Sequence, residues 1–236
     1  MVEAECARMR RATGHRTVGR KVGYANKALW RVLKLESLVW AHMYDDTVRM
    51  AVGNDASISL GAMCSPRIEP EIVFKMKQPI GGARDVSATL DAVEWLALGF
   101  EIIDCVCADW TFQPADFVAA GGLHAALIVG DPCQIEPGLI PKLVEQLATF
   151  KVRLLQDGAL VAEGSGRNSL RSPALCLAEL ASAIRARSPE DGLAAGEVVS
   201  SGTLTESQTI APGQTWTAMV HDLGVPALTV RTLAGS

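Results

Sequence analysis

Apolar and polar residues alternate most cleanly over Arg67-Ile68-Glu69-Pro70-Glu71-Ile72-Val73-Phe74. Read as a strand ending near Met76, this run sends Ile68, Ile72 and Phe74 to one face and Glu69 and Glu71 to the other. A second long strand is expected over residues 100–107. It puts Glu101, Ile103 and Cys105 on one face and Ile102, Asp104 and Val106 on the other. Between the two, Gly81 to Arg84 reads as a loop, and Asp85 caps a helix expected over 86–97. Val86, Leu90, Val93 and Leu96-Ala97 form its apolar stripe, and Gly99 ends it.

Upstream, residues 2–12 read as a charged helix and Val18 to Tyr24 as a short β-like run among glycines. Asn26 is a cap for a helix over 27–34, Leu38 to Tyr44 is mostly apolar, and Asp45-Asp46 closes that run. Downstream, a loop through Asp109, Trp110 and Asp116 precedes a buried strand from Leu123 to Val129. Lys151 to Gln156 and Ala159 to Glu163 flank Asp157-Gly158, a pair suited to a tight hairpin turn. Ser172-Pro173 opens a helix to about Arg187, a strand and turn follow within 196–205, and residues 215–221 and 227–233 pair as a last hairpin. No repeat or linker interrupts the series. One mixed, strand-rich α+β domain over residues 1–236, with a short N-terminal helical segment, is the expectation.

Composition narrows the classes of function. The chain is 49% hydrophobic and 20% charged, which suits a sizeable core and argues against disorder. A net charge of -4 gives no basic footprint for nucleic acid and no polybasic membrane patch. No apolar run reaches membrane-spanning length. The acidic start Met1-Val2-Glu3-Ala4-Glu5 lacks a signal-like apolar core, so free thiols and a cytoplasmic location are expected. The six cysteines show no C-x-x-C or C-x-x-H spacing, which argues against zinc.

The candidate chemistry begins with Glu69 and Glu71. Two carboxylates a strand period apart repel unless a positive charge sits between them. Hard oxygen ligands suit magnesium, calcium or manganese. The plainer reading is a solvated strand face with Pro70 marking a sheet edge. Lys21, between two glycines, reads by itself as an exposed lysine. His124 lies in an apolar strand and reads as a satisfied core histidine. His15, His42 and His221 have no evident partner. Trp30, Trp40 and Trp95 read as core or subunit contacts. Gly164-Ser165-Gly166 lacks the rest of a phosphate-binding motif and reads as a flexible pocket wall.

Several short runs occur in a telling order: Gly19-Arg20-Lys21-Val22-Gly23, Pro66-Arg67-Ile68-Glu69-Pro70-Glu71-Ile72, Glu101-Ile102-Ile103-Asp104, Asp109-Trp110, Gly202-Thr203-Leu204-Thr205 and Ala211-Pro212-Gly213-Gln214. The set resembles the hydratase/decarboxylase branch of the fumarylacetoacetate hydrolase superfamily, from about residue 14 to 233. The resemblance implies a β-roll of curled sheets with flanking helices, like the fumarylacetoacetase C-terminal domain. It implies a Mg2+ or Mn2+ site on Glu69, Glu71 and Glu101, with Lys21 and Asp46 as catalytic residues; Lys21 would pair with the substrate carboxylate or, with its pKa lowered by burial, shuttle a proton. Asp104, Asp109 and Thr203 fall where substrate or metal-bound water would be positioned, though both aspartates equally suit loop capping. The implied substrate is a small 2-oxo or 2-enol acid, and the implied activity is hydration of a 2-hydroxy-2,4-dienoate in aromatic-compound catabolism. Decarboxylation of a 4-oxalocrotonate-type acid, acylpyruvate hydrolysis and a non-catalytic homologue are the alternatives. A homo-oligomer and association with neighbouring pathway enzymes are implied as partners. The chain departs from the pattern in two places. Tyr24-Ala25 stands where the branch has Ser or Thr, and Ala119-Ala120-Gly121-Gly122 stands where hydratases carry Asp-Asn-Ala-Ser.

Overall fold

The strand carrying Glu69 and Glu71 is the spine of the larger of two sheets. The computed structural model describes residues 2–82 and 85–235, so Ala83 and Arg84 of the expected loop lie outside the described residues. In chain order the elements are α1 (Val2–Ala12), β1 (Thr17–Gly23), α2 (Lys27–Leu33), β2 (Val39–Tyr44), β3 (Val48–Met50), β4 (Asp55–Ser59), β5 (Pro66–Met76), α3 (Val86–Asp91), β6 (Val93–Asp104) and α4 (Pro114–Ala119). There follow β7 (His124–Val129), β8 (Cys133–Gln134), α5 (Ile140–Thr149), β9 (Lys151–Gln156), β10 (Ala159–Ser165), α6 (Pro173–Arg187), β11 (Val198–Thr203), β12 (Gln208–Thr209), β13 (Thr215–His221) and β14 (Leu228–Leu233).

The larger sheet runs β2-β1-β11-β5-β6-β7-β3, with β12 added to β5 and β8 to β6; the smaller runs β10-β9-β13-β14-β4. Most pairs are antiparallel, but β1–β11, β3–β7 and β4–β14 are parallel. One apolar cluster joins the sheets to α6, drawing Phe74 and Phe100 from one sheet, Trp216 and Val230 from the other, and Leu177, Leu180 and Ile184 from the helix. Local chemistry sets the ends of the elements. Asn26 and Ser172 accept backbone N–H groups at the starts of α2 and α6. Asp157 and Gly158 both take positive φ in the β9–β10 turn. The six cysteines are unbonded, and no described helix is long and apolar enough to cross a membrane.

Three expectations are corrected. The helix expected over 86–97 stops at Asp91, and Val93 begins a twelve-residue strand that runs through Gly99. The helical stripe was misleading because β6 is apolar on both faces. Leu96, Leu98 and Phe100 join the main core, while Ala97 packs with Val73 and Leu127 in a second cluster. A run buried on both sides loses its alternation. Gly99 is a close-approach position rather than a stop, since a Cβ there would lie 2.5 Å from Val73 Cγ2.

Pro70 lies not at a sheet edge but in the central strand β5, paired with Phe100 of β6. Its other side faces a gap: β11 ends opposite Glu71 and β12 begins opposite Ile68. Only the Leu204 N–H reaches across, donating to Pro70 O at 2.9 Å. A residue with no N–H fits where the neighbouring strand is interrupted. Finally, α4 lies within a stretch expected to be loop, and α5 occupies a stretch given no element; the latter packs Ile140 and Leu147 inward.

Candidate active site

The site grows from the pairing of β5 with β6. Their register sets Glu69 directly opposite Glu101 and Glu71 opposite Gly99. Like charges across a strand pair are destabilising by themselves, yet Glu71 and Glu101 are 1% and 0% exposed. A carboxylate oxygen from each of Glu69, Glu71 and Glu101 lies within 4.8 Å of the others. The solvated-face reading therefore does not hold.

Two of the carboxylates, Glu71 and Glu101, are held from behind. Ser200 Oγ and the Gly202 N–H donate to Glu71 Oε2, at 2.5 and 2.8 Å. Glu101 Oε1 lies 2.8 Å from His124 Nδ1, whose other ring nitrogen is 3.0 Å from Thr47 Oγ1. Glu101 Oε2 faces Lys21 Nζ at 3.1 Å. That contact is an ion pair off hydrogen-bond alignment, for Oε2 has no hydrogen-bond partner among the described residues. Lys21 Nζ instead donates to Gly122 O at 2.9 Å and lies 5.3 Å above the Phe117 ring.

Gly122 explains the departure at the Asp-Asn-Ala-Ser position. Its φ is +72°, and a Cβ there would lie 2.7 Å from Lys21 Cδ. The segment offers a backbone carbonyl to the lysine where side-chain groups were expected.

Charge and burial shift these groups in different directions. Burial pushes the Glu69 carboxyl up to about 7, aided by the Glu101 charge and opposed by Lys21 and Arg67. Glu71 is raised by burial and then by Glu101 and Glu69. For Glu101 burial also raises, but the Lys21 ammonium and His124 outweigh it and the carboxyl is lowered. Lys21 reverses the expectation of a lowered pKa. Burial does pull it down, but Glu101, Glu69 and Glu71 together override burial and raise it. The floor thus holds three carboxylates against one fixed ammonium. Hard oxygen donors in excess of local positive charge fit a divalent cation such as Mg2+, Ca2+ or Mn2+.

Above the floor opens a pocket of ≈ 760 Å³ that Lys21, Glu69 and Thr203 help to line. One wall is aromatic. Tyr24 meets Phe117 at 5.0 Å, Phe117 stacks with Phe112 at 6.3 Å, and Phe112 lies 6.5 Å from Trp110. Arg167 and Asn168 place the loop after β10 in the wall too, as a 3-10 turn.

The remaining expected site residues separate. Thr203 lines the pocket and donates from Oγ1 to Thr205 O at 2.8 Å. Asp46 does not reach it; both of its oxygens take Arg10 Nη2 at 2.8 Å on the surface. Asp104 points to the other side of β6 and accepts the Cys64 and Ser65 N–H groups at 2.9 and 2.6 Å, holding the turn before β5. Asp109 takes φ 53° in the turn that presents Trp110 to the pocket, but is not itself in the lining. His42, for which the sequence suggests no partner, pairs with Glu3 and ties α1 to β2 away from the pocket lining. Sequence reasoning missed the contact of His124 with Glu101. It also missed Ser200, the Gly122 carbonyl and Phe117. His124 reaches Glu101 because β7 pairs with β6, where it stands opposite Ile103.

A mixed sheet thus gathers three carboxylates and a lysine beneath an open, aromatic-walled pocket, a donor set suited to a divalent cation. Residues 21–231 match the family model described as fumarylacetoacetate (FAA) hydrolase C-terminal, and the chain belongs to that family. Among curated relatives, a 2-hydroxypent-2,4-dienoate hydratase of Pseudomonas putida is 30% identical over 176 residues, 74% of this chain and 76% of that protein. A 2-keto-4-pentenoate hydratase of Paraburkholderia phymatum is 27% identical over 218 residues, 92% of this chain and 79% of that protein. Among solved structures, 4-oxalocrotonate decarboxylase from Pseudomonas putida G7, complexed with magnesium and adipate, superposes with a TM-score of 0.86. Its identity is 22%, over 98% of this chain and 83% of that one. Fumarylpyruvate hydrolase from Pseudomonas aeruginosa, with Mn2+ and pyruvate, gives 0.69 at 16% identity, over 92% and 90%. The fold class is that of these structures.

Proposed function

We propose that the protein is a Mg2+- or Mn2+-dependent hydratase of a 2-hydroxy-2,4-dienoate. The observation that carries the reading is the convergence of Glu69, Glu71 and Glu101 beneath the pocket, with Lys21 beside them. The hydratases among its relatives support the reaction class. Glu69, Glu71 and Glu101 would hold the ion, which when bound supplies Lewis acidity to the oxygens of a 2-oxo acid.

The chain's own groups do the rest. The Lys21 ammonium, anchored on Gly122 O, presents positive charge to the acid head and holds a proton beside it. Tyr24, Phe112 and Phe117 give the conjugated carbons an apolar wall that limits water to the reacting end. The net change is addition of one water. The substrate's dienol ketonises, the water oxygen bonds to the carbon conjugated with the 2-oxo group, and a proton goes to its neighbour. Asp46 has no part in this, since it lies outside the pocket lining.

The second reading is decarboxylation of a 2-oxo-3-enedioate, favoured by the likeness in fold to a decarboxylase. A substrate panel with Mg2+ or Mn2+ separates the two. Product retaining every carbon is expected for hydration, and release of carbon dioxide marks the decarboxylase. No turnover on either class, with Mn2+ still bound, would refute both. Self-association belongs to the same reading and is measured by sedimentation.

A further inference from the structure

The outer pocket carries more positive charge than hydration of a monoacid uses. Arg67, Arg167 and Arg171 all line it. Among the described residues none of the three has a carboxylate within ion-pair distance, and Arg67, unlike the other two, is partly buried. Arg167 and Arg171 are exposed at the rim. Arg67 is different, because it is held. Its guanidinium lies 4.1 Å over the Trp110 ring. That indole is itself fixed by donating from Nε1 to Ser65 Oγ at 2.9 Å. Arg67 Nε is buried without a hydrogen-bond partner, and Nη1 has only Ser207 Oγ at 3.4 Å. A stacked, partly dehydrated guanidinium with unused N–H groups is poised for a planar acceptor.

Its position along β5 sets what it meets. Arg67, Glu69 and Glu71 share one face, and residues two apart on a strand are roughly 7 Å apart. A ligand whose head sits at the carboxylate floor therefore reaches Arg67 one strand repeat further out, past Trp110 and Phe112. We propose that Arg67 is a specificity-determining residue that pairs with a second carboxylate at the far end of the substrate, so that the 2-hydroxy-2,4-diene or 2-oxo-3-ene acid of either reading above is a short-chain diacid, carrying a distal carboxylate beyond its conjugated carbons. Arg167 and Arg171 draw that anion toward the mouth. A neutral tail would leave Arg67 dehydrated and unpaired. The inference rests on the reading of the floor as a cation-assisted site for 2-oxo acids.

Calorimetry with Mn2+-loaded protein tests it, using 2-oxohexanoate and 2-oxohexanedioate, which differ only in the distal carboxylate, and oxalate as a probe of the head site. The diacid should bind at least about tenfold tighter than the monoacid. Arg67→Met should bring the diacid down to the monoacid level while oxalate and monoacid affinities stay put. Arg67→Lys, which keeps the charge but not the fork, should give an intermediate ratio. Equal affinities in the wild-type protein, or a diacid preference that survives Arg67→Met, would overturn the assignment and leave the floor reading intact. Failure of oxalate to bind with Mn2+ would overturn the floor reading itself, and this inference with it. The wild-type ratio and Arg67→Lys decide the matter should Arg67→Met not fold.

Discussion

Among the described residues, two places bring three potential ligands within the same 4.8 Å: Glu69, Glu71 and Glu101 on the β5–β6 face, and His15, Asp45 and Asp46 on the surface. The inventories are alike and the environments are not. At the surface, Arg10 takes Asp46 and Arg16 takes Asp45, so the negative charge is already answered. At the floor, the three carboxylates share one lysine, and two of them are fully buried. Proximity of acids is common on surfaces. Burial with uncompensated charge is costly, and it persists where a ligand completes the set.

The comparison can be broken most sharply at Glu101. Glu101→Ala should weaken Mn2+ binding by more than about 100-fold, while Asp46→Ala changes it less than about twofold. Calorimetry on both variants checks this, and equal effects would erase the distinction between the two clusters. Next in size is Lys21→Met, expected to lower turnover by roughly 10²–10⁴-fold. Its Mn2+ affinity should hold or rise, because the ammonium competes for Glu101. A rate close to wild type would remove Lys21 from the chemistry.

Gly122→Ala is the milder probe of the same lysine. A methyl group would meet Lys21 Cδ at a left-handed φ, so stability should fall by about 1–2 kcal/mol. Turnover should fall with it, as a urea melt and an initial-rate assay would show. The smallest effect concerns protons. In the cation-free protein Glu69 is raised from 4.5 to about 7. A folded-state pKa above the unfolded one means that the native state binds the proton more tightly. Stability then falls as pH climbs through the interval between the two values and levels off beyond. The Tm of the wild-type protein should drop by a few degrees more than that of Glu69→Gln between about pH 5 and 8. Referring to that variant cancels His42, which burial lowers to about 4 and which contributes with opposite sign. Saturating Mn2+ should abolish the difference.

What the sequence makes legible follows the physics of alternation. Glu69 and Glu71 fall on one face because Ile68, Ile72 and Phe74 must fall on the other. The caps at Asn26, Asp85 and Ser172 are local chemistry and are readable as such. Val93 to Leu98 is not, because a strand covered on both faces has no polar beat to distinguish it from a helix. The meeting of Glu101 with Glu69 depends on cross-strand register, and only family likeness pointed to it. Asp46 shows the opposite failure: adjacency to an apolar run carried no information about which side of β2 the turn would face. Arg67 was readable by the same alternation that selected the two glutamates, two residues further out on their face.

The proline in the middle of β5 has a consequence for how such a pocket arises. A residue able to bond at position 70 would invite its neighbour to continue alongside, zipping β11 into β12 without interruption. Instead the chain detours through residues 203–208, and Thr203, Glu206 and Ser207 become part of the rim. The cleft is thus the seam left by one unmade backbone bond, and Pro70→Ala is the substitution by which the fold would stitch its own entrance narrower.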